Sequence, residues 1–232
     1  IYINLKKRKL MKKTLVSIIA SLALTGAAYA DYGVGVSGAI AVVDASGSET
    51  TTAGSVAGGA ANTNKKDVQA VSPIASIFAE YITDGGIAIG LEHVPGSADV
   101  SDKTHSRTEN AQGVSGTDAT GTVTRTADAE VENFNTLYID YPIGQGYVKL
   151  GYSQIDVITK ENAITSSGTY GDATLDGVTI GAGVKGELAG YYTKYSVEYT
   201  DFEELSLTST TSNTIKADLD VLQFKFSIGR SF

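Results

Sequence analysis

Leu219–Phe232, LDVLQFKFSIGRSF, alternates without a break: Leu222, Phe224, Phe226, Ile228 and Phe232 fall on one face, with Arg230 intruding. Gln223, Lys225, Ser227, Gly229 and Ser231 fall on the other. A period of two is the signature of a β-strand. In a water-soluble sheet the greasy face packs on a core, but here the opposite face mixes small residues with a lysine. That combination suits a strand whose apolar face meets lipid and whose second face lines a narrow lumen.

The same pattern recurs at Tyr32–Asp44, where Tyr32, Val34, Val36, Ile40 and Val42 oppose Gly33, Gly35, Ser37, Ala39 and Ala41. Six further segments read likewise: about Val71–Thr83, Ile87–Val94, Glu132–Tyr141, Tyr147–Val157, Asp176–Lys185 and Tyr191–Phe202. Most reach the roughly 9–11 residues that a tilted strand needs to cross the hydrocarbon layer. The phase is least clean in the second and fourth, where Phe78 and Phe134 fall on the face assigned inward.

The connections alternate in length. Asp84-Gly85-Gly86, the stretch Pro142–Gly146 and the stretch Gly186–Gly190 are short and glycine-rich, whereas about 45–70, 95–131, 158–175 and 203–218 are long and polar. Short turns on one rim and long loops on the other are the layout of an up-and-down outer-membrane barrel. The expected fold is all-β: an antiparallel up-and-down eight-stranded transmembrane β-barrel with short periplasmic turns and long extracellular loops.

Composition and charge agree. The absence of Cys excludes disulfide scaffolds and thiolate metal sites. Lys12 and Lys13, an apolar run Leu15–Leu24 and the small-x-small Ala28-Tyr29-Ala30 make residues 11–30 an expected cleaved signal peptide beginning at Met11, with residues 1–10 as upstream read-through. About ten apolar residues are too few for a membrane-spanning helix, which needs about twenty. Six of the 18 basic residues precede residue 14, leaving 12 against 26 acidic ones in the barrel domain, residues 31–232, a balance of −14. Nucleic acid, which requires clustered Lys and Arg, is not an expected partner.

Eight charged strand residues project inward: Glu80, Glu92, Asp140, Lys149, Lys185, Lys194, Glu198 and Lys225. Each lysine facing lipid would cost up to about 2–4 kcal/mol. Together those costs rival a whole domain stability of about 5–15 kcal/mol. The lumen is their expected address, and four acids against four lysines would fill it as a charge network. The −14 then lies mainly in loops and rims, which are poor in aromatics and have little to bury. Tyr32, Tyr81, Tyr141, Tyr191 and Phe232 are expected in the aromatic belt on the short-turn side, and His93, Tyr152 and Tyr199 near the opposite belt.

A terminal aromatic closing such a strand resembles the assembly signal of bacterial outer-membrane proteins, carried here by Phe224, Phe226, Ile228 and Phe232; Arg230 departs from it. With the signal peptide, strand count and loop asymmetry, the chain resembles the small OmpA/OmpX and opacity-protein-like outer-membrane barrels. The resemblance implies a bacterial outer-membrane location, lipid and the barrel-assembly machinery as partners, a monomer, and loops able to meet an extracellular ligand. That group holds anchors, adhesins and small pores. The reading is therefore a structural or surface-interaction protein with a largely closed lumen, against an alternative of a small porin-like pore for ions or polar solutes.

Catalysis and cofactors find no footing. Gly33-Val34-Gly35-Val36-Ser37-Gly38 fits G-x-G-x-x-G but lies within a strand rather than between strand and helix. His93 and His105 have no nucleophile elbow nearby, and lumen carboxylates such as Glu80, Glu92 and Glu198 are acid–base candidates in principle, without a recognisable catalytic signature. The chain is read as a non-enzyme without cofactor or metal.

Overall fold

The computed structural model describes residues 30–52, 61–100, 105–110, 122–161, 169–210 and 212–232. The expected read-through segment, and the signal peptide up to Tyr29, lie outside them. Among the described residues there are ten antiparallel strands: β1 (Ala30–Thr51), β2 (Asn62–Thr83), β3 (Ala88–Asp99), β4 (His105–Asn110), β5 (Thr122–Ile143), β6 (Gly146–Glu161), β7 (Ala173–Leu188), β8 (Tyr191–Phe202), β9 (Leu205–Thr208) and β10 (Thr214–Ser231). Eight form the ring β1-β2-β3-β5-β6-β7-β8-β10, which β10 closes by pairing with β1 from Gly33↔Ser231 to Thr50↔Thr214. Closure satisfies the backbone groups that a lipid-exposed edge would leave unpaired. β4 and β9 lie off the ring, pairing with the ends of β5 and β10.

At one end the strands are joined tightly. Ala189 and Gly190, both at positive φ (51° and 82°), form the two-residue turn between β7 and β8. That geometry matches the twist of the strands it joins. Gly144 (φ 61°) opens the turn between β5 and β6, and Gly86 (φ 77°) sits in the turn between β2 and β3.

At the other end the strands run farther than the expected bounds. Much of 45–70, 95–131, 158–175 and 203–218 is strand: β1 and β2 have 22 residues each, about twice the 9–11 that cross the hydrocarbon layer. These extensions look like loops because their alternation is inverted. Near the turns the outer face carries Val34, Val36, Ile77, Leu91, Ile180, Val197 and Phe224, all exposed on an otherwise closed cylinder. Such a belt of large apolar side chains is stable only against lipid. Loopward, the outer positions turn polar at Asp44, Gln69, Gln154, Asp176, Asp201 and Asp220, while the inner ones turn apolar at Ile155, Val157, Leu175, Phe202, Leu219 and Val221. The barrel wall projects beyond the membrane, and its two faces exchange character as it does so.

Both doubtful phases have physical causes. Phe78 is buried in the lumen, where Gly35 makes room: a Cβ there would come within 2.4 Å of the Phe78 ring. Gly90 opposite Tyr138 and Gly229 opposite Tyr192 repeat the arrangement, so small residues on one strand accept rings from others. In β5 the parity changes at a bulge. Asn133, at φ 53°, is the additional residue between Glu132↔Asp156 and Asn135↔Gln154. Phe134 points inward on one side of the bulge, and Val131 and Ala129 on the other.

Candidate functional site

Alternation along six of the ring strands brings seven of the eight predicted charges together. Lys225 Nζ on β10 donates to both oxygens of Glu92 on β3, each at 2.8 Å, and to Glu198 Oε2 on β8 at 2.9 Å. Lys149 on β6 pairs with Glu198 Oε1 at 2.8 Å, with Glu92 at 3.9 Å, and sits 4.0 Å from the centroid of the Tyr138 ring. Nearer the turns, Lys194 on β8 pairs with Glu80 on β2 and with Asp140 Oδ2 on β5 at 2.9 Å. Tyr138 donates to Glu80 Oε1 at 2.7 Å. These seven charged side chains and Tyr138 are all buried. Strands β10 and β3, and likewise β8 and β2 or β5, lie three steps apart around the ring, so these pairs cross the bore.

Lys185 is the exception. It is only half-buried and reaches toward the Gly86 carbonyl at 3.5 Å, across the mouth at the turn end. The network therefore has four carboxylates and three lysines, with Lys185 standing at its rim. Glu80 Oε2 and Asp140 Oδ1 are buried and have no hydrogen-bond partner.

Above the charges, hydroxyls link four neighbouring strands: Thr136 to Ser153 at 2.9 Å, Ser153 to Thr179 at 2.6 Å and Thr179 to Thr200 at 2.7 Å. Above these lies an apolar chamber walled by Ala41, Ile155, Val157, Leu175, Phe202 and Leu219, with the Phe134 and Phe202 rings edge to face at 5.7 Å. Sequence reasoning missed this chamber. Its signal was available: the inward parity of Lys149 and Ser153 continues to Ile155 and Val157, and that of Lys225 and Gln223 to Val221 and Leu219.

At the chamber's level the outer face carries an acidic collar. Asp156 accepts hydrogen bonds from Asn133 Nδ2 (2.9 Å) and Thr174 Oγ1 (2.7 Å), which hold its carboxyl below the ordinary carboxylate value. Asp176 accepts from Tyr152 and Gln154, and Asp44 from Gln69. His93 lies at the same level, bonded to Asn135 at 2.8 Å. Among the described residues no group of three or more His, Cys, Asp or Glu side chains is placed to hold a metal. Phe224, Phe226 and Phe232 are exposed on the outer face and Ile228 half-exposed, Phe226 packing on Tyr195 with centroids 4.8 Å apart. Tyr32 and Tyr81 meet edge to face at 5.8 Å at the turn end, where a belt was expected.

Closed ring, inward charges and apolar waist together define the architecture of the small outer-membrane β-barrels. Scans against protein-family models and against curated proteins find no match. Solved structures similar to this one include OprG of Pseudomonas aeruginosa (14% identity, 86% of this chain and 95% of that one, TM-score 0.44). Another is the attachment invasion locus protein Ail of Yersinia pestis, solved with the heparin analogue sucrose octasulfate (11%, 82% and 98%, 0.33). A third is the outer membrane protease OmpT of Escherichia coli (8%, 87% and 97%, 0.42).

Proposed function

We propose that this chain is a bacterial outer-membrane barrel with a structural or surface-interaction role, its lumen closed to ions by the lysine–carboxylate network. The observation that carries this reading is the pair of bridges across the bore, Lys225 to Glu92, and Lys194 to Glu80 and Asp140. An eight-stranded barrel is just wide enough for its side chains, so charges paired across it occupy the space an ion would need. Glu80, Glu92 and Glu198 are each engaged by a lysine, which suits filling more than proton transfer to a substrate. The β4–β5 hairpin and the acidic collar, including Asp44, Asp67, Asp218 and Asp220, form the surface offered outside the membrane. A cationic partner would find favourable potential there. Phe224, Phe226, Ile228 and Phe232 serve as the signal for the assembly machinery in this reading, and the protein works as a monomer.

Conductance across planar bilayers tests the closed lumen directly. The purified, refolded protein should give no reproducible current steps. Regular steps that scale with salt concentration would replace the plug with the alternative, a small pore for ions or polar solutes.

A further inference from the structure

Among the described residues, Arg230 is the one charged residue at the outward positions of the eight ring strands between their turn ends and the acidic collar. It is exposed, pairs with no Asp or Glu among those residues, and holds its guanidinium carbon 5.5 Å from the centroid of the Phe232 ring. In register it stands opposite Val34 on β1. The β10–β8 ladder stops at Gly229↔Tyr192, one position short of Arg230 and Tyr191. Tyr32, Tyr191 and Phe232 around it are exposed as well. An arginine set among interfacial aromatics extends its charged head to the phosphate level while its stem stays on the wall.

Deeper in the membrane the same wall is notched. Gly38 faces outward, opposite Phe226 on β10 and Ala75 on β2, and a Cβ there would meet nothing within 4 Å. Gly35 is required by the ring it accommodates, but no neighbour requires Gly38. A glycine inside a strand weakens it and often marks a place where a ligand approaches the backbone. Phe226 packs on Tyr195, and the space over Gly38 stays open. The notch belongs to a groove of about 650 Å³ on the outer wall, bordered by Gly38, Ile40, Val184, Tyr195, Phe224 and Phe226. From Arg230 to Phe226 is about 13 Å of strand at about 3.3 Å per residue. One leaflet supplies about 15 Å of a hydrocarbon core about 30 Å thick, so the head and tail of a single lipid reach both places.

We infer that the outer wall of β8, β10 and β1 is a binding site for one anionic phospholipid of the turn-end leaflet, its phosphate on Arg230 and an acyl chain over Gly38, a site that rests on the outer-membrane barrel proposed above but not on its closed lumen. A guanidinium makes paired, charge-assisted hydrogen bonds to phosphate oxygens. In a zwitterionic lipid the head group's own cation competes for that phosphate, which favours a lipid of net negative charge. The acidic collar is too far away to oppose it. Asp44 lies 12 residues along β1 from Tyr32, about 40 Å of strand, against a Debye length of about 8 Å at physiological salt. A second copy of the chain fits this wall less well. Two barrels inserted the same way and related by a two-fold axis along the membrane normal meet at equal depth, which sets Arg230 beside Arg230.

Because the chain contains no Trp, a single introduced tryptophan reports on its own surroundings. Val36→Trp stands beside the groove, and Leu150→Trp on β6 faces lipid on the opposite side of the ring. The full chain carrying either one is refolded in phosphatidylcholine vesicles holding a minority of lipid with brominated chains, which quench tryptophan on contact. At Val36→Trp brominated phosphatidylglycerol should quench as if enriched about fivefold over its share, the effect that one basic residue near a membrane surface gives. Brominated phosphatidylcholine should quench there as its share alone, and at Leu150→Trp the two lipids should quench alike. Adding Arg230→Gln should abolish the enrichment, and Gly38→Leu should reduce it. The unaltered protein covers the case of a variant that fails to fold: in native mass spectrometry from mixed micelles it should retain one phosphatidylglycerol in preference to phosphatidylcholine. Equal quenching by both lipids at Val36→Trp, equal enrichment at both tryptophans, enrichment that survives Arg230→Gln, or a lipid-free pair of chains in the mass spectrum would each overturn the inference. No quenching by either lipid at either tryptophan would overturn the barrel reading with it, which sets that failure apart from the others.

Discussion

Lys225 and Phe226 are neighbours in sequence with opposite surroundings, one buried between two glutamates and one exposed beside Tyr195. Removing one member of a buried pair strands the other charge, at about 3–5 kcal/mol. Placing a lysine in mid-membrane costs a similar amount, about 2–4 kcal/mol. The magnitudes alone do not separate Lys225→Gln from Phe226→Lys, but their rescue does. Glu198→Gln should recover much of the loss in Lys225→Gln, because Lys149 and Glu92 then balance, and should do nothing for Phe226→Lys. Urea midpoints of the refolded protein in vesicles, read by heat-modifiable gel mobility, check this; equal rescue of both would mean that residue 226 does not face lipid. Which face Lys225 and Phe226 take was legible from alternation alone. Which lysine meets which carboxylate was not, because partners three strands apart depend on barrel stagger. The pairing of Gly35 with Phe78 and of Gly90 with Tyr138 was hidden for a related reason, since a missing side chain does not announce which ring will fill its place.

At the level of the strand, the bulge in β5 is the feature that defeats simple alternation. Asn133 takes left-handed φ, and its side chain ties the bulge to Asp156 on β6. Asn133→Gly should keep the backbone at little cost, whereas Asn133→Val forces a β-branched residue into that conformation and should lose about 1–3 kcal/mol. Urea unfolding compares the two, and equal stabilities would contradict a conformational role. The clamp also carries a pH dependence. Hydrogen bonds from Asn133 and Thr174 lower the Asp156 carboxyl from its ordinary value of 3.8, so the folded state binds its proton less readily than the unfolded one. The stabilisation is present above that ordinary value and disappears as pH falls through the lowered one. In a carboxyl NMR titration Asn133→Ala should move the midpoint upward, toward 3.8; an unchanged midpoint would remove Asn133 as a cause. Strand cores were legible because each side of the wall has one character over the membrane's thickness. Strand ends were not: Ser46, Gly47, Ser48 and Glu49 have loop composition, and only their register with β2 and β10 makes them wall.

For the whole molecule, the exchange of faces sets the depth at which the barrel sits. Outer residues pass from apolar to acidic between Val42 and Asp44 on β1, Tyr199 and Asp201 on β8, and Leu222 and Asp220 on β10, positions that neighbour one another in register. Acidic residues of the barrel domain therefore lie also on strand walls standing clear of the lipid, in the rims as well as in the loops where the charge was expected. Burial of apolar area drives both halves, by lipid outside the lower wall and by side chains inside the upper one. Nitroxide labels can map the crossover. Labels at Val36 and Ile180 should be relaxed by oxygen, which concentrates in the bilayer, and those at Ser46 and Lys216 by a water-soluble nickel chelate. The deciding position is Leu219. It stands loopward of the boundary, so a label there would meet the aqueous chelate in a water-filled tube, but in an apolar chamber it should respond to oxygen more than to nickel. Strong nickel relaxation at Leu219 together with the expected pattern outside would leave the barrel in place and show its upper half to be wet, whereas nickel relaxation at Val36 would mean the outer belt does not face lipid at all.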